Sequence, residues 1–311
     1  MKIRSFSIPP YLALVSGILA LSMTSLFVRW AQAPGTVTAA YRMSISVLVL
    51  TPFVLRSKNK LSVNSSNWWV IVLIAGAFVA LDHGTMSTAI GLTRIANSTL
   101  LNNLAPLWVA LFAYLVWHEK LKKWFWIGLI LTMVGAVIIL GSDLARHPQL
   151  GLGDGIAFLS SFFYAGYFLI TQLGRQKIPA LQYVWTVNVV SAIFLILFNL
   201  LSGIPLTGYS LQTYLVFIGA GLISQTIGYF SITYALGHLP ASVVSPTMVI
   251  QIVLTSLLAI PIFGERLSIA QLIGGAAVLG GILLVNLTKE SPNKKPLKTA
   301  IALPKIADPE C

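Results

Sequence analysis

The sequence predicts an all-α integral membrane protein of ten transmembrane helices, built as two inverted five-helix repeats with both termini cytoplasmic. Three observations predict it: ten apolar stretches follow one another, positive charge falls on every second connection, and the chain resembles itself at a shift of 146 residues. Hydrophobic residues make up 57% of 311 positions and charged residues only 9%, with mean hydropathy +0.86. A soluble domain carries charge on roughly a quarter of its residues, so this composition excludes that class.

The apolar stretches run over about 11–31, 36–55, 68–91, 95–117, 124–141, 154–174, 180–201, 212–235, 241–263 and 268–287. Each approaches the roughly 20 residues that an α-helix needs to cross a hydrocarbon core. Lys2 and Arg4 precede the first stretch as they would in a signal peptide, but that stretch is long and nine more follow, so it reads as a first span. Short connections carrying Pro34-Gly35, Pro148, Gly203 and Pro240 make neighbours antiparallel. The chain divides into an N-terminus at 1–10, a first repeat at 11–141, a second at 154–287, and a Lys- and Pro-rich tail at 288–311 expected to be disordered and cytoplasmic.

The net charge of +12 would suggest nucleic acid in a soluble protein, but here the charges sit in loops and tail. Lys2 and Arg4, then Arg56, Lys58 and Lys60, then Lys120, Lys122 and Lys123, then Arg175 and Lys177, and five tail lysines share one side. The other side has only Arg94, Arg146 and Arg266, which places both termini inside by the positive-inside rule. One inner connection, 236–240, carries no Lys or Arg. Cys311 is the single cysteine, so an internal disulfide and a Cys-rich metal site are excluded and no cofactor is expected.

At the shift of 146, Ala89 meets Ala235, Gly91 meets Gly237, Glu119 meets Glu265, Leu121 meets Leu267, Gly128 meets Gly274 and Gly135 meets Gly281. Five spans per half force the halves into opposite orientations, the arrangement in which carriers bind substrate near the midplane. Trp117-His118-Glu119-Lys120-Leu121 with Gly128 and Gly135, and Phe263-Gly264-Glu265-Arg266-Leu267 with Gly274 and Gly281, resemble the GE-(R/K)-L endings of the repeats in EamA-type members of the drug/metabolite transporter superfamily. The stretches Leu81-Asp82-His83 and 97–106 resemble a subgroup of it. The resemblance covers about 10–290 and departs at His118, where glycine is usual, and at Ile252, where proline is frequent. It implies a carrier for amino acids, nucleobase-like compounds or other metabolites, more often an exporter.

Ionisable residues inside spans are costly and point to function. Arg29 lies near the outer end of its helix, where its side chain can reach the interface. Arg42, Asp82 and Asn103 lie deeper, at about 9–14 Å on three helices of the first repeat. Two readings stand side by side: an Arg42–Asp82 pair that locks helices 2 and 3, or a guanidinium offered to an anionic substrate group. In the second, Asp82 holds Arg42 in the empty state or takes the substrate's amino group. His83 points about 100° away from Asp82, and either residue could carry a coupling proton. Asn188, Gln225 and Gln251 either bind substrate or join helices. Tyr164, Tyr167, Trp185 and Tyr229 either line a cavity or pack. The candidate substrate contacts are therefore Arg42, Asp82, Asn103, Tyr167, Trp185, Gln225 and Gln251, with Asp82 and His83 for proton coupling.

Trp68, Trp69, Trp124 and Trp126 read as interface anchors, the paired glycines as close helix contacts, and Glu119 and Glu265 as helix-end structure. Nucleophile, nucleotide and metal-protease motifs are absent, so an enzyme is not expected. The expected function is a secondary transporter that exports a small polar metabolite, an amino acid or related compound, by alternating access with proton coupling. An importer of the same fold and a channel or sensor are the alternatives. Its expected partners are a small-molecule substrate and the bilayer, without nucleic acid, with a homodimer left open. Its expected location is the plasma membrane, the inner membrane in a bacterium.

Overall fold

The computed structural model describes residues 9–57, 68–93, 95–140, 151–263 and 268–288. Ten helices in it are long and apolar enough to cross a membrane: α1 Pro10–Val28, α2 Gly35–Arg56, α3 Trp68–Ile90, α4 Ser98–Leu115, α5 Lys123–Leu140, α6 Leu152–Arg175, α7 Ala180–Leu201, α8 Leu211–Leu236, α9 Ala241–Ile262 and α10 Ile269–Leu287. They match the apolar stretches of the sequence to within a few residues. The chain is a multi-pass membrane protein. Pro9, Pro34, Pro179 and Pro240 stand immediately before α1, α2, α7 and α9, where a missing N–H costs no helical bond. Ser210 and Ser268 cap α8 and α10 by accepting the N–H groups of Thr213 and Gln271.

Packing follows a short set of pairs. α5 lies along α10, α3 along α6, α2 along α7 and α1 along α8, while α3 also meets α7, α2 meets α8, α4 meets α6 and α9, and α1 meets α9. In the α5–α10 pair the glycines permit backbone contact. A Cβ on Gly128 would stand 2.7 Å from the Gly281 carbonyl oxygen, and one on Gly135 would stand 2.6 Å from that of Gly274. Without water to expel, such close approach is how helices gain contact in a bilayer.

Four spans are irregular. α1 is interrupted at Met23, α4 at Asn103 and Leu104, and α9 at Val249, while α8 contains a π-helical segment from Ala220 to Tyr229. In α4 the cause is Pro106, which has no N–H for the Asn102 carbonyl, and Leu107 turns its own N–H to the Leu104 carbonyl at 2.9 Å. α9 breaks although Ile252 stands where the family resemblance suggested proline; Pro246 lies inside the preceding turn instead. Freed backbone groups at membrane depth need buried partners. The Ser22 carbonyl, at the α1 interruption, accepts the Thr255 hydroxyl at 2.8 Å.

The uncharged connection 236–240 is served from elsewhere. Arg175, at the end of α6, donates from Nε to the Thr233 carbonyl at 3.1 Å and lies against Gly237, so its charge sits at the C-terminal end of α8. Glu119 accepts the Ser242 hydroxyl at 2.6 Å and so ties the connection after α4 to the start of α9. His118 has φ of 52°, the left-handed conformation that glycine adopts freely, which accounts for glycine being usual there. Trp69 and Trp124 are exposed, whereas Trp68 and Trp126 pack partly inward. Glu265, Arg266, Cys311 and the tail lie outside the described residues, as does the side chain of Arg29.

Replacing Gly135 with leucine is expected to separate α5 from α10 at a cost of about 1–3 kcal/mol. The melting temperature of purified Gly135→Leu should fall clearly, while Gly155→Ala, where a Cβ meets nothing within 4 Å, should melt like the wild type.

Candidate functional site

Two polar groupings lie in the middle of the bundle. The first is built on α2, α7 and α8. Arg42, only 4% exposed, donates from Nη2 to Gln225 Oε1 at 3.1 Å. Gln225 Nε2 donates to Asn188 Oδ1 at 3.0 Å, and Asn188 Nδ2 donates to Ser46 Oγ at 2.9 Å. All four residues are buried, so each amide has its polarity set by the next one along. Gln225 occupies the π-helical stretch of α8, and Tyr229 at its end brings a hydroxyl close to the same guanidinium. The Arg42 Nε is buried and has no acceptor.

The second grouping joins α3, α4 and α6. Asp82, 8% exposed, accepts at Oδ1 from Asn102 Nδ2 at 2.9 Å. The same amide nitrogen donates to Ser160 Oγ at 2.7 Å. His83 Nδ1 stands 4.0 Å from Asp82 Oδ2, beyond a hydrogen bond, and its Nε2 has no partner.

Among the described residues no ion pair joins Arg42 to Asp82. The lock between α2 and α3 that the sequence allowed is therefore not formed. The two opposite charges do lie within each other's electrostatic reach, with Tyr229 and Tyr164 beside them. Each is held by neutral hydrogen-bonding groups, so both keep capacity for a further charged partner. In low dielectric a charge attracts an opposite one more strongly than it would in water.

The remaining candidates are placed differently. Asn103 donates to the Thr99 carbonyl of its own helix at 2.8 Å, and its neighbour Asn102 makes the contact with Asp82. Tyr167 shares a hydrogen bond of 3.2 Å with Thr233 and packs against the Tyr229 ring. Trp185 donates to Thr51 Oγ1 at 2.9 Å, well along α2 from Arg42. Gln251 is half-buried on α9, and no hydrogen bond ties it to either grouping among the described residues. Asn102 and Ser160 did not stand out in the sequence. Pro106 was the available signal, because a proline four residues on marks where α4 opens.

Asn188→Leu should leave the buried Gln225 amide without its acceptor and cost about 1–3 kcal/mol of stability. A melting curve of the purified protein checks this, with Gln251→Leu expected to change little.

Comparison with known proteins follows the same outline. The sequence pattern described as the EamA-like transporter family matches residues 8–141 and again 151–287. An uncharacterized transporter of Bacillus subtilis is 28% identical over 241 residues, covering 76% of this chain and 78% of the relative. An uncharacterized transporter of Archaeoglobus fulgidus is 23% identical over 278 residues, covering 88% and 94%. A crystal structure with TM-score 0.76 and 20% identity covers 89% of this chain and 97% of its own, and shares the fold. With nearly the whole membrane-embedded chain matched, the protein belongs to the EamA-like transporter family.

Proposed function

We propose that this membrane transporter is a secondary carrier that exports a small polar metabolite, an amino acid or related compound, by alternating access. The observation that carries the substrate class is the unpaired state of Arg42 and Asp82, two buried opposite charges each held by neutral groups. The guanidinium fork takes the substrate's carboxylate, with Gln225 and Asn188 holding it in place. Asp82 takes the substrate's amino group, or a proton in its absence, which makes the two exchange on one carboxylate. His83 is the second proton candidate. Export follows from the family resemblance, and the plasma membrane is the proposed location.

The rocking units are two inverted repeats, 11–141 and 154–287, with both termini and the tail in the cytoplasm. The packing pairs support this reading. Exchanging each helix with the one five places away turns α3–α6 into α8–α1, α3–α7 into α8–α2 and α4–α6 into α9–α1, while α5–α10, α2–α7 and α4–α9 map onto themselves. The interruptions at Asn103 and Val249 are also 146 residues apart.

Two variants test the site. Arg42→Ala should insert normally and lose at least tenfold of its flux, and wild-type flux would remove Arg42 from the site. The assay is a survey of amino acids and related metabolites in the medium of overexpressing cells, followed by counterflow in proteoliposomes to separate a carrier from a channel. Asp82→Asn should make the remaining flux independent of pH, and an unchanged pH profile would take the proton away from Asp82.

A further inference from the structure

We infer that Arg175, Gln172 and Glu119 are gate residues at one end of the carrier: they grip the α8–α9 hairpin from α6 and from the connection after α4, and transport requires them to let go once per cycle. The inference rests on the inverted-repeat carrier reading above and names the end that is closed.

Two inverted repeats packed identically would show every contact twice, once toward each end. Two contacts depart from that. α6 packs against the end of α8 and the start of α9, but its counterpart α1 forms no packing pair with α3 or with the first half of α4 among the described residues. α4 and α9, which exchange with each other, pack through the second half of α4, Ala105–Leu115, and the first half of α9, Ala241–Met248. The other halves, Ile95–Asn102 and Ile250–Phe263, form no such pair among the described residues, and each lies against α5. They come near each other at the breaks, where Leu100 shares a cluster with Val249 and Ile252. The bundle is therefore drawn together where α4, α6 and α8 finish, the cytoplasmic end in the orientation proposed above, and parted at the other. That is one of the two states alternating access needs.

The grip has the chemistry of a releasable contact. Arg175 donates to the carbonyls of Ile178, just beyond its own helix, and of Thr233, in the last turn of α8. Gln172 accepts the Ala241 N–H at the start of α9, and Glu119 accepts the Ser242 hydroxyl. The backbone groups among these lie at helix ends, have no partner within their own helix, and can take water in place of the side chains. Behind them the seal is apolar, with Trp117, Leu236, Leu239 and Val244 buried in one cluster. Trp117 Nε1 and the Oγ of Ser245, next to Val244, are buried there without a partner among the described residues. Such orphaned atoms penalise the closed state and find partners when water enters. The end is thus held by side chains from neighbouring helices and loosened by its own core.

The test measures distances between nitroxide labels on the full-length protein in lipid nanodiscs, with Cys311→Ala removing the single native cysteine. One labelled pair, Lys177→Cys with His238→Cys, spans the closed end. The other, Leu92→Cys with Ile260→Cys, spans the open end, and all four positions are exposed. With the native gate each pair should give one dominant distance. Arg175→Ala and Ser242→Ala should raise a second population at least fivefold, longer at the closed end and shorter at the open end in matching proportion. A merely structural contact lacks that reciprocity: a first pair that lengthens while the second stays unchanged overturns the gate. Unchanged distances in both variants overturn it as well. Ser242→Ala removes a single hydroxyl and decides the matter if Arg175→Ala does not fold. Arg42-dependent export with unshifted distances refutes the gate alone. Reciprocal shifts without export of any amino acid or related compound support the gate and refute the substrate reading alone.

Discussion

A guanidinium or carboxylate inside a bilayer costs several kcal/mol unless the protein supplies what water no longer can. Arg42 and Asp82 are buried within helices able to cross a membrane, and much of the central architecture answers to them. α8 widens into a π-helix where Gln225 meets Arg42, and α7 turns Asn188 to hold the far end of the same amide. α4 opens next to Asn102, which meets Asp82. A direct ion pair would neutralise both charges with less machinery. Its absence among the described residues leaves each charge held by neutral hydrogen-bonding groups instead.

The interruptions are economical in the same sense. Helices are the default in lipid because every backbone group is satisfied within the segment, so each break needs a local remedy. Thr255 serves the carbonyl at the α1 break, and Arg175 serves the end of α8. Where the backbone is regular, as in α5 and α10, the helices instead meet through glycine, in direct contact.

The spans were legible in the sequence because hydropathy over about 20 residues is a one-dimensional signal. The paired glycines were legible because their spacing repeats. Position along an apolar stretch is readable too, and it picks out Arg42 and Asp82 together. The partners were not. Depth fixes height along a helix but leaves direction open, and one residue turns a helical side chain by about 100°. That is why depth pointed to Asn103 although Asn102 makes the contact, and why Gln225 rather than Asp82 meets Arg42. Trp185 illustrates the same gap, since its partner Thr51 could not be read from either helix alone.

By itself the sequence determined that the chain holds ten stretches long and apolar enough to cross a membrane, where its charges and prolines fall, and that its halves resemble each other. Those properties follow from local composition against the thickness of the hydrocarbon core. Only the tertiary structure decided which polar groups face one another, because that depends on the rotation of each helix and on breaks whose effect reaches neighbouring helices. It decided that the two buried charges stand unpaired among the described residues, each against neutral partners. Side chains scattered over the chain at more than a hundred residues' separation, as Arg42 and Gln225 are, become neighbours only when the helices pack.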